Sequence, residues 1–143
     1  MKDIMLKIVG RQIYDGQKEE DVIEFVTEGK YFEEDGHAVF VYDESTLSGM
    51  EGTTTTLRGK GDKIRMLRTG AAVALDTEME FQKGRRFRGY YDTPYGGIEM
   101  EILTNEVINN LDIEQVKGSM AIDYHISLKG LAESRSLLNI EIM

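Results

Sequence analysis

The sequence predicts an all-β protein: a single antiparallel meander of about eight to ten strands, closed into a barrel. Three observations carry this. Apolar residues recur at period two along most of the chain, as in Met120, Ile122, Tyr124, Ile126 and Leu128, where Asp123 and His125 alternate with them; helix-period stripes are weak. Short turn signals built on glycine separate these runs. No strand–helix–strand spacing occurs, so the strands follow one another directly. A meander of this length avoids long open edges by closing, and eight to ten strands enclose room for side chains or one small ligand.

The chain has 143 residues, which is one domain, residues 1–143. With 41% hydrophobic residues it is too apolar for a disordered chain. It holds no run of 18 or more apolar residues, which excludes a membrane-spanning helix. It contains no cysteine, which removes disulfides, thiolate nucleophiles and cysteine metal sites. The opening Met1–Gly10 is interrupted by Lys7 and lacks the apolar core of a signal peptide, so a cytoplasmic location is expected. The formal charge is −9, yet residues 58–88 carry nine basic groups against four acids. The expected strand registers set acids beside these bases, so local masking is the simpler reading.

The elements follow in order. Residues 4–14 place Ile4, Leu6 and Ile8 on one face. Residues 22–33 and 37–44 form a hairpin about Asp35-Gly36, whose residues accept a type I′ turn. This pairs Tyr31 with Phe40 and Phe32 with Val39. A second hairpin spans 53–69, with its turn at Gly59–Asp62. Centred between Lys60 and Gly61, it sets Leu57 against Ile64, Thr55 against Met66 and Thr53 against Arg68, with Arg58 opposite Lys63 on the outer face. A third hairpin spans 75–92 about Lys83-Gly84-Arg85. It pairs Phe81 with Phe87, Met79 with Gly89, Thr77 with Tyr91, Glu80 with Arg88 and Gln82 with Arg86. The single proline, Pro94, suits a type I turn over 92–97. Residues 103–111 read as either helix or strand: Leu103, Val107 and Leu111 fit the one, and Asn105 and Asn109 between them also fit the other. Turns at Lys117-Gly118 and Lys129-Gly130 then bound two strands, the last carrying Leu138, Ile140 and Ile142.

Two segments, Ser48-Gly49-Met50-Glu51-Gly52-Thr53-Thr54-Thr55-Thr56-Leu57 and Tyr91-Asp92-Thr93-Pro94-Tyr95-Gly96, resemble the YwiB-like family of uncharacterised bacterial proteins. The resemblance extends over nearly the whole chain. It implies a calycin-type, lipocalin-like β-barrel and no established activity. The Gly-x-Trp signature of lipocalins has no counterpart, since the chain has no tryptophan.

The strongest candidate site is a polar group on the inward face: Glu51, Thr53, Thr55 and Arg68, with Thr77 and Tyr91 across the barrel. Charges inside a barrel cost several kcal/mol each unless paired. Arg68 with Glu51 therefore reads first as a structural ion pair. It reads second as the polar end of a ligand pocket, with Arg68 holding an anionic head group. Asp123, His125 and Ser127 share a strand face but point in parallel, about 6.5–7 Å apart, so they do not make a catalytic triad. Two histidines and scattered acids offer no metal site. The basic run Lys83, Arg85, Arg86 and Arg88 reads as a charged outer ladder, and the acidic whole opposes nucleic acid. No phosphate-binding glycine loop occurs. The expectation is therefore a non-enzymatic protein without cofactor, membrane or nucleic-acid partner, monomeric or homodimeric. It would bind a small amphipathic or anionic molecule in the barrel. The alternative is an interaction module or homo-oligomer acting through its outer surface, with Tyr90 and Tyr95 as candidate contacts.

Overall fold

A computed structural model describes residues 1–44, 51–70, 77–93, 96–129 and 132–143. Ten strands form one antiparallel sheet: β1 (Lys2–Tyr14), β2 (Asp21–Glu34), β3 (His37–Asp43), β4 (Thr53–Lys60), β5 (Lys63–Gly70), β6 (Thr77–Gln82), β7 (Arg86–Thr93), β8 (Gly96–Asp112), β9 (Lys117–Leu128) and β10 (Ala132–Ile142). Their order is β6-β5-β4-β3-β2-β1-β10-β9-β8-β7, so the first and last strands pair and the sheet rolls into a nearly closed barrel. There is no helix among the described residues. The two ends of the sheet, β6 and β7, are consecutive in the chain.

The period-two faces have become the inside and outside of this barrel. Ile4, Leu6 and Ile8 of β1, Ala38, Phe40 and Tyr42 of β3, Leu57 of β4, Ile64 and Met66 of β5, Phe81 of β6 and Met120, Ile122 and Ile140 all lie in one buried cluster. Tyr31 pairs with Phe40 as read from the sequence. Their rings tilt against each other at 5.2 Å. The turn between them holds Asp35 at φ 51° and Gly36 at φ 78°, the left-handed pair that a type I′ hairpin requires.

The structure corrects two registers. In the β4–β5 hairpin Leu57 faces Met66, Thr55 faces Arg68 and Thr53 faces Gly70, two residues away from the expected pairing. The turn is the two-residue Gly61-Asp62, with Gly61 at φ 60°, which draws Lys60 opposite Lys63. A shift of two preserves every face, so the inward set survives. The shift also sets Arg58 against Arg65. Acids from neighbouring strands offset the repulsion: Glu34 meets Arg58 at 3.0 Å, Glu80 meets Lys63 at 3.2 Å, and Glu78 pairs with Arg65.

The third hairpin does not form as a ladder. The turn survives, with the Arg85 amide donating to the Gln82 carbonyl at 2.9 Å. Beyond it β8 captures the chain: the Gly84 amide donates to the Thr104 carbonyl at 2.9 Å, and the Thr104 amide to the Arg85 carbonyl at 3.2 Å. Phe87 therefore pairs with Ile102, Gly89 with Met100 and Tyr91 with Ile98, while Glu80 turns to Lys63 and Arg65 on β5. Glu101 takes Arg86 and Arg88. The basic run is masked locally, by different acids from those expected.

Residues 103–111 are strand, and a bulge between Thr104 and Glu106 explains the ambiguous reading. Met100, Ile102 and Thr104 are buried before it, and Val107 is buried after it. The phase slip sets half-buried Leu103 and Leu111 at a four-residue spacing from Val107, which imitates a helix. The turns expected at Pro94-Tyr95 and at Gly130, and Ser48–Met50 of the first resemblance segment, lie outside the described residues.

Candidate functional site

A cavity of about 350 Å³ enters the barrel at the end carrying Gln12 and Tyr14. Ile8, Phe25, Met79 and Leu138 line it with carbon, while Tyr42, Glu44, Arg68, Tyr91 and Tyr124 bring polar atoms to it. A larger space of about 840 Å³ lies over exposed residues such as Arg88, Tyr90 and Lys129, where no buried polar groups converge.

Of the six residues read from the sequence, five point into the barrel. Thr53, Thr55 and Thr77 are buried, and Arg68 and Tyr91 are half-buried and line the cavity. Arg68 lies between Thr55 on β4 and Thr77 on β6. Its Nε is buried with no hydrogen-bond partner among the described residues; the same holds for the Thr53 and Thr104 hydroxyls. Glu51 is the exception. It is exposed in the turn before β4, because Gly52 at φ 86° turns the chain and ends the strand parity.

The acid of the site is instead Glu44, which is 7% exposed. It follows β3 on the face of Ala38, Phe40 and Tyr42, a continuation visible in the alternation of residues 37–44. The Thr55 hydroxyl donates to its Oε1 at 2.7 Å, and the Glu44 amide donates to the Thr53 carbonyl at 2.8 Å. The threonines thus hold the acid that the cavity presents. Replacing Thr55 with valine keeps the shape but removes that donor. The expected cost is about 1–3 kcal/mol in chemical denaturation; an unchanged midpoint would show that Glu44 draws no support from it.

Burial pushes the Tyr42 phenol far above its usual range; the Glu44 charge adds to this and Arg68 opposes it. Tyr42 is therefore a neutral hydroxyl beside Glu44 and Thr55. Burial also raises the Tyr124 phenol, against the pull of Arg68 and a hydrogen bond with Ser136. Arg68 thus acts electrostatically on two phenols from different sides of the barrel.

The outer face of β9 carries Asp123, His125 and Ser127 in a different role. Arg135 donates to Asp123 through Nε at 3.0 Å and Nη2 at 2.6 Å, and Asn105 donates to it at 3.1 Å. The Arg135 hydrogen bond holds the Asp123 carboxyl below the usual carboxylate range, against a smaller effect of burial. A depressed carboxyl pKa contributes stability above the unfolded value of about 3.9 and loses it as pH falls through the folded one. Arg135 is 48% exposed, so solvent discounts the pair. Arg135→Ala should cost no more than about 1 kcal/mol near neutrality, and its gap from wild type should close below about pH 3. Urea unfolding at both pH values checks this; a gap that persists in acid would remove Asp123 as its source.

This combination, an all-antiparallel ten-stranded barrel with a partly polar interior cavity, defines the class of protein and agrees with the calycin-like expectation. The chain belongs to the family described as a domain of unknown function (DUF1934), whose model matches residues 6–140. A crystal structure of the ywiB protein from Bacillus subtilis superposes with a TM-score of 0.78 at 21% identity, covering 99% of this chain and 92% of that one. At that identity the likeness establishes the fold. No curated protein matches the chain.

Proposed function

We propose that this chain is a non-catalytic binding protein that takes a small amphipathic molecule into the barrel. The apolar part would lie against Ile8, Phe25, Met79 and Leu138, and the polar head would reach Tyr42, Glu44 and Arg68. The observation that carries this is the Arg68 Nε, a buried donor without a partner among the described residues, in a residue lining the cavity. Such donors are costly to leave unmet, and a ligand acceptor would satisfy this one. The volume of about 350 Å³ is that of a small-molecule site. Non-catalytic binding suits the chemistry, because burial keeps the Tyr42 and Tyr124 phenols protonated near neutral pH, so neither serves as a general base.

Native mass spectrometry of freshly purified protein, with a denatured control, tests the reading. The expected result is a small mass released on denaturation and absent from Met79→Trp, whose indole fills the cavity. A bare chain, or the same adduct on both proteins, would count against it.

A second reading rests on the outer face, where Ile108, 49% exposed, borders a groove with Val9, Ala121 and Leu137. Exposed apolar patches mark interaction surfaces. Tyr90 is also exposed, at 64%, whereas Tyr95 lies outside the described residues. A dimer in light scattering that Ile108→Glu dissociates would favour this reading.

A further inference from the structure

Below the exposed Arg11 and Asp21 of its lining, the cavity presents two opposite charges on less exposed residues, and this narrows the ligand. Glu44 and Arg68 both line it. They act in opposite senses on the same Tyr42 phenol, so both fields reach one point. Glu44 can only accept hydrogen bonds when ionised; Thr55 donates to Oε1, and a carboxylate has about four acceptor positions, so capacity remains. Arg68 can only donate, and its Nε is the donor without a partner among the described residues. The charged acceptor and the charged donor of the less exposed lining are therefore opposite in sign, and the Tyr42, Tyr91 and Tyr124 hydroxyls beside them are neutral groups.

We infer that the head group this cavity selects is uncharged overall and carries a hydrogen-bond acceptor and a donor together, as a primary amide does. The inference rests on the binding reading and specifies its ligand. An amide carbonyl accepts from the Arg68 Nε while the amide nitrogen donates to Glu44. A bare carboxylate gains Arg68 but meets the charge of Glu44, and an ammonium gains Glu44 but meets Arg68. Each ion also leaves water for a partly enclosed site, a cost the neutral amide avoids.

Titration of the wild-type protein with octanamide, octanoate and octylammonium tests this by calorimetry, the chain length being common to all three. Octanamide should bind most tightly, each ion about tenfold or more weaker, which is about 1.4 kcal/mol. In Glu44→Gln, which keeps the side-chain shape, octanoate should gain about tenfold on octanamide, since Arg68 then stands unopposed. Octanoate or octylammonium binding first in the wild type would overturn the inference while leaving cavity binding intact. So would an order of preference that Glu44→Gln leaves unchanged. If none of the three binds, the cavity-binding reading falls, and this inference with it.

Discussion

Phe81→Ala should lower the unfolding free energy by about 3–5 kcal/mol, against about 5–15 kcal/mol for a typical domain. Phe81 has no exposed surface. It faces Ile64 on β5 and meets the Tyr124 ring at 4.7 Å, tilted by 52°. Its position at the end of β6 gives the effect a structural meaning. The β6 and β7 strands are the two ends of the sheet, and no ladder joins them. Closure of the barrel here depends on side-chain packing across the interior, where Phe81 reaches Tyr124 of β9. Alanine removes that ring, and the backbone ladders on β5 limit how far the space can collapse. Chemical denaturation reads the loss directly. A destabilisation below about 1 kcal/mol would mean that the β6 edge is not held by this contact.

Arg68→Lys should weaken binding of a neutral amphipathic probe such as octanamide by about tenfold or more, with a much smaller effect on stability. Lysine keeps the positive charge that lines the cavity together with Glu44, so the balance of the interior charges is retained. It lacks the Nε–H and the planar fork, so the donor of the site moves and loses its fixed direction. Arg68→Met removes the charge as well. It should lose binding by about ten- to a hundredfold, corresponding to about 1.5–3 kcal/mol for a hydrogen bond to a charged group, and should also destabilise the fold by leaving Glu44 uncompensated. Calorimetry beside thermal unfolding separates the two quantities. Equal affinity in wild type, Arg68→Lys and Arg68→Met would remove Arg68 from the site.

Much of the barrel was legible because a strand has a period of two, and a register error of two residues leaves that parity intact. This is why Thr53, Thr55 and Arg68 face inward although every partner in their hairpin differs from the expected one. Parity failed where the backbone departs from a regular strand. Gly52 turns the chain and takes Glu51 out to solvent, and the bulge at Thr104 and Glu106 reverses the phase of β8. The pairing of β6 with β7 was expected from sequence proximity and matching side chains. The competing ladder with β8 depends on long-range contacts that one hairpin does not reveal. Glu44 was within reach, since it continues the face of Phe40 and Tyr42, but an acid at the end of a strand reads as part of a solvated turn.

The central claim is that a small molecule enters the barrel and comes to rest beside Arg68. The chain carries eight methionines and no tryptophan, which makes methyl resonances the natural probes. Met79 lines the interior cavity, whereas the exposed Met5 and Met143 border a separate groove near the chain ends. With methionine methyl groups labelled with carbon-13, titration of octanamide should shift Met79 strongly and leave Met5 and Met143 in place. A shift at either of those two with Met79 unmoved would place the ligand outside the barrel, and no shift at any methyl would contradict binding altogether.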